Sequence, residues 1–103
     1  MQLKTSVTFH GITPEMLLGI IIVNSIFQKN NYELVITSIT DSKHSLTSLH
    51  YVGNAIDIRI SNIPPANIDF LINELKNSLG SNFDVVHEID HIHIEYQPKF
   101  RNS

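Results

Sequence analysis

The sequence of 103 residues contains no cysteine, no excess of positive charge and no apolar run long enough to cross a membrane. Without cysteine it cannot form disulfides, a thiolate nucleophile or a thiolate metal site. Seven Lys and Arg against ten Asp and Glu give a net charge of −3. This balance argues against a general nucleic-acid-binding protein, because such a protein needs a basic surface to contact phosphates.

The most apolar run covers residues 16–27, whereas a membrane-spanning helix takes about 20 residues. Thr13, Pro14 and Glu15 precede this run, and no small-x-small cleavage site follows it. We therefore expect a buried helix in a soluble protein that is made in the cytoplasm without a signal peptide. The length predicts a single domain over residues 1–103, with a frayed tail at 98–103, and we expect a monomer without a membrane span.

Hydrophobic periodicity and turn residues predict elements in the order β-α-β-β-α-β-β. The predicted strands cover residues 3–9, 33–39, 55–60, 83–88 and 91–96, and the predicted helices cover 14–28 and 66–79. Residues 40–50 form a predicted loop. Thr13 is the expected N-cap of the first helix, whose apolar face contains Leu17, Ile20, Ile21 and Val23 or Asn24. Because the last two strands are joined by a tight turn, we predict an α+β fold with a largely antiparallel sheet packed with two main helices.

Six histidines are many for a chain of this length, and five of them lie within residues 43–57 and 87–95. Strand alternation places Asp57 on a polar face, and it places His91, His93 and Glu95 together on another. A turn at Gly53 would bring His50 close to Asp57. Two histidines and a carboxylate with an open fourth position are typical of catalytic zinc. The alternatives are a solvated His-x-His pair on an exposed strand and a plain structural domain.

The two histidine stretches carry a specific pattern. Ser48, His50, Gly53, Ala55 and Asp57 form the motif Ser-x-His-x-x-Gly-x-Ala-x-Asp, and Asp-His-x-His follows at residues 90–93. This pattern resembles the zinc peptidases of the D-Ala-D-Ala carboxypeptidase and phage L-alanyl-D-glutamate endopeptidase group, and small phage-encoded members in particular. Their zinc-binding fold is shared with the hedgehog signalling domain. The resemblance covers residues 34–98, about two thirds of the chain.

The resemblance implies a hedgehog-like zinc peptidase fold and a metallopeptidase that cleaves the peptide stem of peptidoglycan. His50, Asp57 and His93 match the zinc ligands, and Asp90 matches the general base for a zinc-bound water. His91 would support the site or steady the oxyanion, or it would simply face solvent. The alternative function is a catalytically inactive, zinc-binding hedgehog-like module that binds peptide or cell-wall fragments.

Two questions about the site remain open from the sequence. Glu88 and His91 have the same three-residue spacing as Asp90 and His93, so two registers fit the family pattern, and the Asp-His-x-His form favours the second. In addition, many family members carry an arginine shortly after the Thr-Ser strand, and residues 39–44 contain none.

The missing arginine leaves the substrate contact and the cleaved bond open. Lys43, His44 and Ser48 are the candidate substrate-binding residues, although lysine offers a point charge instead of a planar fork. Arg59 shares the polar face of a strand with Asp57, and we expect it to form a surface salt bridge.

Overall fold

The computed structural model of the chain describes residues 1–7, 11–42 and 51–98. The elements are β1 (Gln2–Leu3), α1 (Pro14–Lys29), β2 (Val35–Ser42), β3 (Tyr51–Arg59), a short 3₁₀ turn (Pro65–Asn67), α2 (Ile68–Leu79), β4 (Phe83–His87) and β5 (His91–Tyr96). The predicted order of strands and helices is confirmed, and so is the α+β class.

The five strands form one mixed sheet in the order β1-β2-β3-β5-β4. β1 runs parallel to β2, and the other three neighbouring pairs are antiparallel. The sheet is therefore largely antiparallel, as predicted. β3 and β5 are next to each other although α2 and β4 separate them along the chain.

One face of the sheet packs against both helices and forms the core. Alternate residues of the two central strands are fully buried there, namely Ile56, Ile58, Ile92 and Ile94. Because successive side chains of a strand point to opposite faces, the residues between these isoleucines lie on the other, polar face of the sheet. No helix in the described ranges is long and apolar enough to cross a membrane.

Helix α1 begins as predicted and buries part of the face that was expected. The Thr13 side chain caps the helix by accepting a hydrogen bond of 3.2 Å from the backbone N–H of Met16. Leu17 and Ile21 were expected in the core but are 41% and 58% exposed. The core side of α1 carries the expected Ile20 and Val23 together with Met16, Gly19, Ile26 and Phe27. The prediction was wrong for Leu17 and Ile21 because α1 is apolar on nearly every side, so periodicity does not select one face.

Three predicted strand boundaries are wrong by three residues or more, and one of them is the start of β3, which lies at Tyr51 instead of Ala55. The first strand ends at Leu3 and a turn follows at Thr5 and Ser6, so the prediction of a strand over residues 3–9 is too long. β2 extends to Ser42, into the predicted loop, because it pairs with β3 beyond Ile39. Tertiary pairing extends a strand through polar residues that have little strand preference of their own.

Gly53 was predicted to form a turn but lies inside β3. Its φ of +71° is a conformation that other L-residues rarely adopt, and an added Cβ would lie 2.4 Å from the Gly11 carbonyl oxygen. The carbonyl of Gly53 accepts a hydrogen bond from the backbone N–H of Thr13, whose hydroxyl donates to Oδ1 of the buried Asn54. These contacts tie β3 to the start of α1.

Candidate functional site

The pairing of β3 with β5 places the polar side chains of the two strands side by side. Asp57 is directly opposite His93, and Arg59 is opposite His91. Ala55 is opposite Glu95 in the same ladder. The predicted separation of the faces is thus confirmed: isoleucines face the core, and carboxylates and imidazoles face away from it.

Asp57 lies at the centre of this cluster. Its Oδ1 is 2.7 Å from Nδ1 of His93 and 3.5 Å from Nε2 of His91. Its Oδ2 accepts a hydrogen bond of 2.7 Å from the hydroxyl of Ser38 on β2. Residues of β2 and β5 therefore contact the Asp57 carboxylate on β3, and the Asp57 side chain is 25% exposed.

His93 lies between two carboxylates. Its Nε2 is 3.2 Å from Oε1 of Glu95, while Nδ1 faces Asp57. Gln97 donates a hydrogen bond to the second oxygen of Glu95. Burial acts to lower the pKa of His93, but its hydrogen bonds to Asp57 and Glu95 and the charges of both outweigh burial, so the pKa lies above its usual value of 6.5. The ring is held in a fixed orientation with Nδ1 toward Asp57.

Asp90 lies in the turn between β4 and β5, and its side chain is 86% exposed. Its Oδ1 is 2.7 Å from Nδ1 of His91. This hydrogen bond lowers the pKa of the Asp90 carboxyl below its usual value of 3.8, so the group is ionised at neutral pH. His91 therefore connects Asp90 to Asp57, with one ring nitrogen facing each carboxylate.

The other predicted site residues lie outside the described residues. These are the expected zinc ligand His50 and the candidate substrate-binding residues Lys43, His44 and Ser48. Of the residues assigned to metal binding and catalysis, the structure brings together Asp57, Asp90, His91 and His93. Glu88, the base in the competing register, is exposed and donates its backbone N–H to the carbonyl of His91.

The donor atoms of Asp57 and His93 suit a zinc ion, because carboxylate oxygen and neutral imidazole are both common zinc ligands. Within the described ranges, no group of three or more Asp, Glu or His side chains is arranged to hold a metal ion. The contacts there instead run pairwise, from Asp90 through His91 and Asp57 to His93. The residues present thus fit two of the three expected ligand positions, and the third is His50.

Three contacting residues were not identified as site residues from the sequence: Ser38, Glu95 and Gln97. Strand alternation already placed Glu95 on the same face as His93, so the contact between these two residues could be predicted from the sequence. For Ser38, the resemblance of its Thr-Ser strand end to the family strand pointed toward the site, but the pairing of β2 with β3 is needed to show that its hydroxyl reaches Asp57.

Comparisons with models of known protein families, with curated proteins and with solved structures find no match for this chain.

Proposed function

We propose that this chain is a zinc-dependent metallopeptidase that hydrolyses peptide bonds in the stem peptide of peptidoglycan, with a hedgehog-like fold. The observation that carries the proposal is the direct contact between Asp57 and His93. The two residues match different motifs 36 positions apart, and their ligand atoms lie 2.7 Å from each other. Together with His50, they are the residues that would hold the metal.

The geometry favours His93 over His91 as the second histidine ligand. Nδ1 of His93 is 2.7 Å from Asp57, whereas Nε2 of His91 is 3.5 Å away and its other nitrogen faces Asp90. Glu95 lies at Nε2 of His93, and a carboxylate in this position commonly orients a metal-binding imidazole. These contacts support the register in which Asp90 is the base and His93 the ligand.

A zinc ion at this position supplies Lewis acidity and makes a water molecule easier to deprotonate at neutral pH. Asp90 is suited to accept a proton from the attacking water, because it is ionised and open to solvent. It then passes the proton to the leaving amine. His91 holds the Asp90 carboxylate through a hydrogen bond of 2.7 Å, so its role in this proposal is to position the base.

The first test is metal content followed by hydrolysis. The purified chain is expected to contain zinc in a 1:1 ratio and to cleave muropeptides, with the products identified by mass spectrometry. A chain that takes up no stoichiometric zinc, or that leaves every muropeptide intact when loaded, contradicts the proposal. The product masses also identify the cleaved bond.

Asp90→Asn tests the role of the base with little change in shape. General-base catalysis contributes about 10²- to 10⁴-fold, so the variant should lose activity on that scale while still binding zinc. The matched control is Glu88→Gln, which removes an exposed carboxylate from the same turn. Equal activity of Asp90→Asn and the unmodified chain would refute Asp90 as the base, and loss of activity in Glu88→Gln alone would favour the other register.

The second candidate is a catalytically inactive zinc-binding module for peptide or cell-wall fragments. The absence of arginine from residues 39–44 favours it, because family members use that residue to hold the substrate. Stoichiometric zinc and muropeptide binding without cleavage would support this candidate over the peptidase.

A further inference from the structure

The outer face of α1 consists of the residues that point away from the core, namely Leu17, Leu18, Ile21, Ile22 and Ser25. Leu18 is 63% exposed, and Leu17 and Ile21 are exposed as well. Residues 16–28 of the helix contain no charged side chain. A helix at the surface of a globular protein usually carries polar and charged residues on its solvent side, so an uncharged, apolar outer face is typical of an interaction surface.

A protrusion and a depression lie two helical turns apart on the outer face. Leu18 protrudes, since it is the most exposed of the large apolar side chains of α1. Ser25 lies in a groove between α1 and α2 with a cavity volume of about 430 Å³, which Ile22 and Ser78 also line. Seven residues are close to two turns of helix, so Leu18 and Ser25 lie on one line about 10.5 Å apart. The small serine leaves room in this groove for a large side chain from outside.

The two charged residues of α1 lie at its opposite ends. Glu15 is in the first turn and Lys29 is in the last turn. Lys29 contacts Glu74 of α2, yet 67% of its side chain is exposed, and an ammonium group can donate three hydrogen bonds. Two antiparallel copies of α1 would place Glu15 of each copy near Lys29 of the other. Two parallel copies would place like charges together, so charge favours the antiparallel arrangement.

We infer that the outer face of α1 binds the outer face of a second copy of this chain, with the two helices antiparallel. A two-fold axis between residues 21 and 22 places Leu18 of each copy over Ser25 of the other. An axis at residue 22 pairs Glu15 with Lys29, so shape and charge select the same register to within one residue. The inference departs from the monomer expected from the sequence, and it requires neither zinc nor hydrolysis.

A second copy fits this face better than an unrelated protein, because the face complements itself. A dimer with two-fold symmetry uses the same surface of both subunits, so each protrusion must meet a depression and each charge an opposite charge. Leu18, Ser25 and the two charged ends of α1 meet this requirement. The helix has 16 residues and is about 24 Å long. One helix per copy buries less than the ~800 Å² per partner that is usual for a stable complex, so we expect a reversible dimer.

Pairing through α1 leaves the candidate site free. The helices pack on one face of the sheet, whereas Asp57 and His93 lie on the other. The dimer therefore has its helices in the centre and its two polar faces outside, directed away from each other.

Sedimentation equilibrium of the full chain at micromolar to millimolar concentrations tests the dimer. The mass should rise with concentration from that of one chain toward that of two. Leu18→Glu should raise Kd about tenfold or more, the scale of a central interface residue, and should leave the Tm of the monomer nearly unchanged because Leu18 is exposed. Val86→Glu is the matched control, since it alters an exposed apolar residue of the polar face and should leave Kd unchanged. The mass of one chain at every concentration, or an equal rise in Kd for both variants, would overturn the inference.

Glu15→Lys tests the orientation of the two helices. In the antiparallel dimer it replaces an attraction at each end by repulsion from Lys29, so Kd should rise about fivefold or more at low salt and less at high salt. In a parallel dimer the same variant would exchange one pair of like charges for another. An unchanged Kd would therefore overturn the antiparallel orientation.

Engineered cysteines test the register, and the chain has no cysteine of its own to interfere. A mixture of Leu18→Cys and Ser25→Cys should form a disulfide between the two variants in air, because the proposed axis brings these positions together. Each variant alone should remain largely reduced. Faster disulfide formation in Leu18→Cys alone than in the mixture would overturn the register.

A lipid surface could also cover an apolar helix face. Flotation with phosphatidylglycerol vesicles tests this occupant, and we expect the chain to stay in solution as a dimer. A chain that remains a monomer but floats with the vesicles, and that loses this binding in Leu18→Glu, would assign the outer face to a lipid surface and overturn the inference.

Discussion

At the scale of single residues, Asp57 has to serve several partners with one carboxylate. A zinc ligand binds best when a neighbouring group fixes its orientation before the metal arrives. Substitution of such a neighbouring group typically costs 10- to 100-fold in metal affinity. In the proposed site, the hydroxyl of Ser38 has this role for Asp57, because it donates to Oδ2 and leaves Oδ1 toward His93.

Ser38→Ala should therefore weaken zinc binding by about tenfold or more, within the range usual for groups that orient a ligand. Competition with a chelator of known affinity measures the change. Thr37→Val is the control, because the hydroxyl of Thr37 donates to the backbone carbonyl of Asp57 and leaves the carboxylate untouched. If both variants bind zinc as tightly as the unmodified chain, Ser38 does not orient the ligand.

At the scale of the elements, β3 depends on a glycine in its interior. Gly53→Ala should destabilise the chain by about 3 kcal/mol or more, because a positive φ alone costs about 1–3 kcal/mol and the new Cβ would collide with the backbone of Gly11 and Ile12. Urea unfolding measures the difference.

Gly80→Ala is the matched control for this substitution. Gly80 also has a positive φ, of +85°, but nothing lies within 4 Å of the position of an added Cβ. Its substitution should cost only the backbone strain. If the two variants lose equal stability, the close approach of β3 to the start of α1 is refuted.

Side-chain hydrogen bonds also join the two helices to each other. Glu74 on α2 accepts hydrogen bonds from Lys29 and Asn30 at the end of α1, and the bond from Lys29 is the larger cause of its lowered pKa. A carboxyl whose folded pKa lies below its unfolded value stabilises the fold above the unfolded value, here 4.5, and this contribution is lost as the pH falls through the folded pKa.

Glu74→Gln should therefore lower the free energy of unfolding at neutral pH and flatten its dependence on pH below about 4.5. Urea unfolding between pH 3 and 7 gives both quantities. Asp69→Asn, which removes another carboxyl from α2, is the control. A pH profile of Glu74→Gln parallel to that of the unmodified chain would contradict the prediction.

Local patterns in the sequence were sufficient to predict the order of the elements, the cap at Thr13 and the two faces of β5. Each of these depends on neighbouring residues alone. The parallel β1–β2 pair, the extension of β2 and the position of Gly53 inside β3 depend on distant pairing. For the same reason, the motifs predicted Asp57 and His93 as partners, but neither alternation nor spacing could show that β3 and β5 place them directly opposite each other.

At the scale of the whole molecule, metal binding should be coupled to stability. A ligand at 100 times its dissociation constant stabilises the folded state by about 2.7 kcal/mol, which for a chain of this size corresponds to a rise in Tm of about 10 °C or more. Zinc should produce such a rise in thermal unfolding, and a chelator should reverse it. Asp57→Asn should abolish the rise.

His87→Gln is the control for this measurement. His87 ends β4, is exposed and pairs with Ile92, which faces the core and not the polar face, so its substitution should leave the zinc-dependent rise intact. A rise that survives Asp57→Asn but disappears in His87→Gln would move the metal to another part of the molecule.

The alternation of β5 has a consequence for how this surface can change. A slip of the strand by one residue would bring His91, His93 and Glu95 into the core and expose Ile92 and Ile94, so the packed helices exclude the shifted arrangement. Substitutions on the polar face leave the packing of Ile92 and Ile94 unchanged, so the register of the strand is kept. Evolution or protein engineering can therefore exchange the polar residues of this face one at a time, because the isoleucines on the opposite face keep the strand in register.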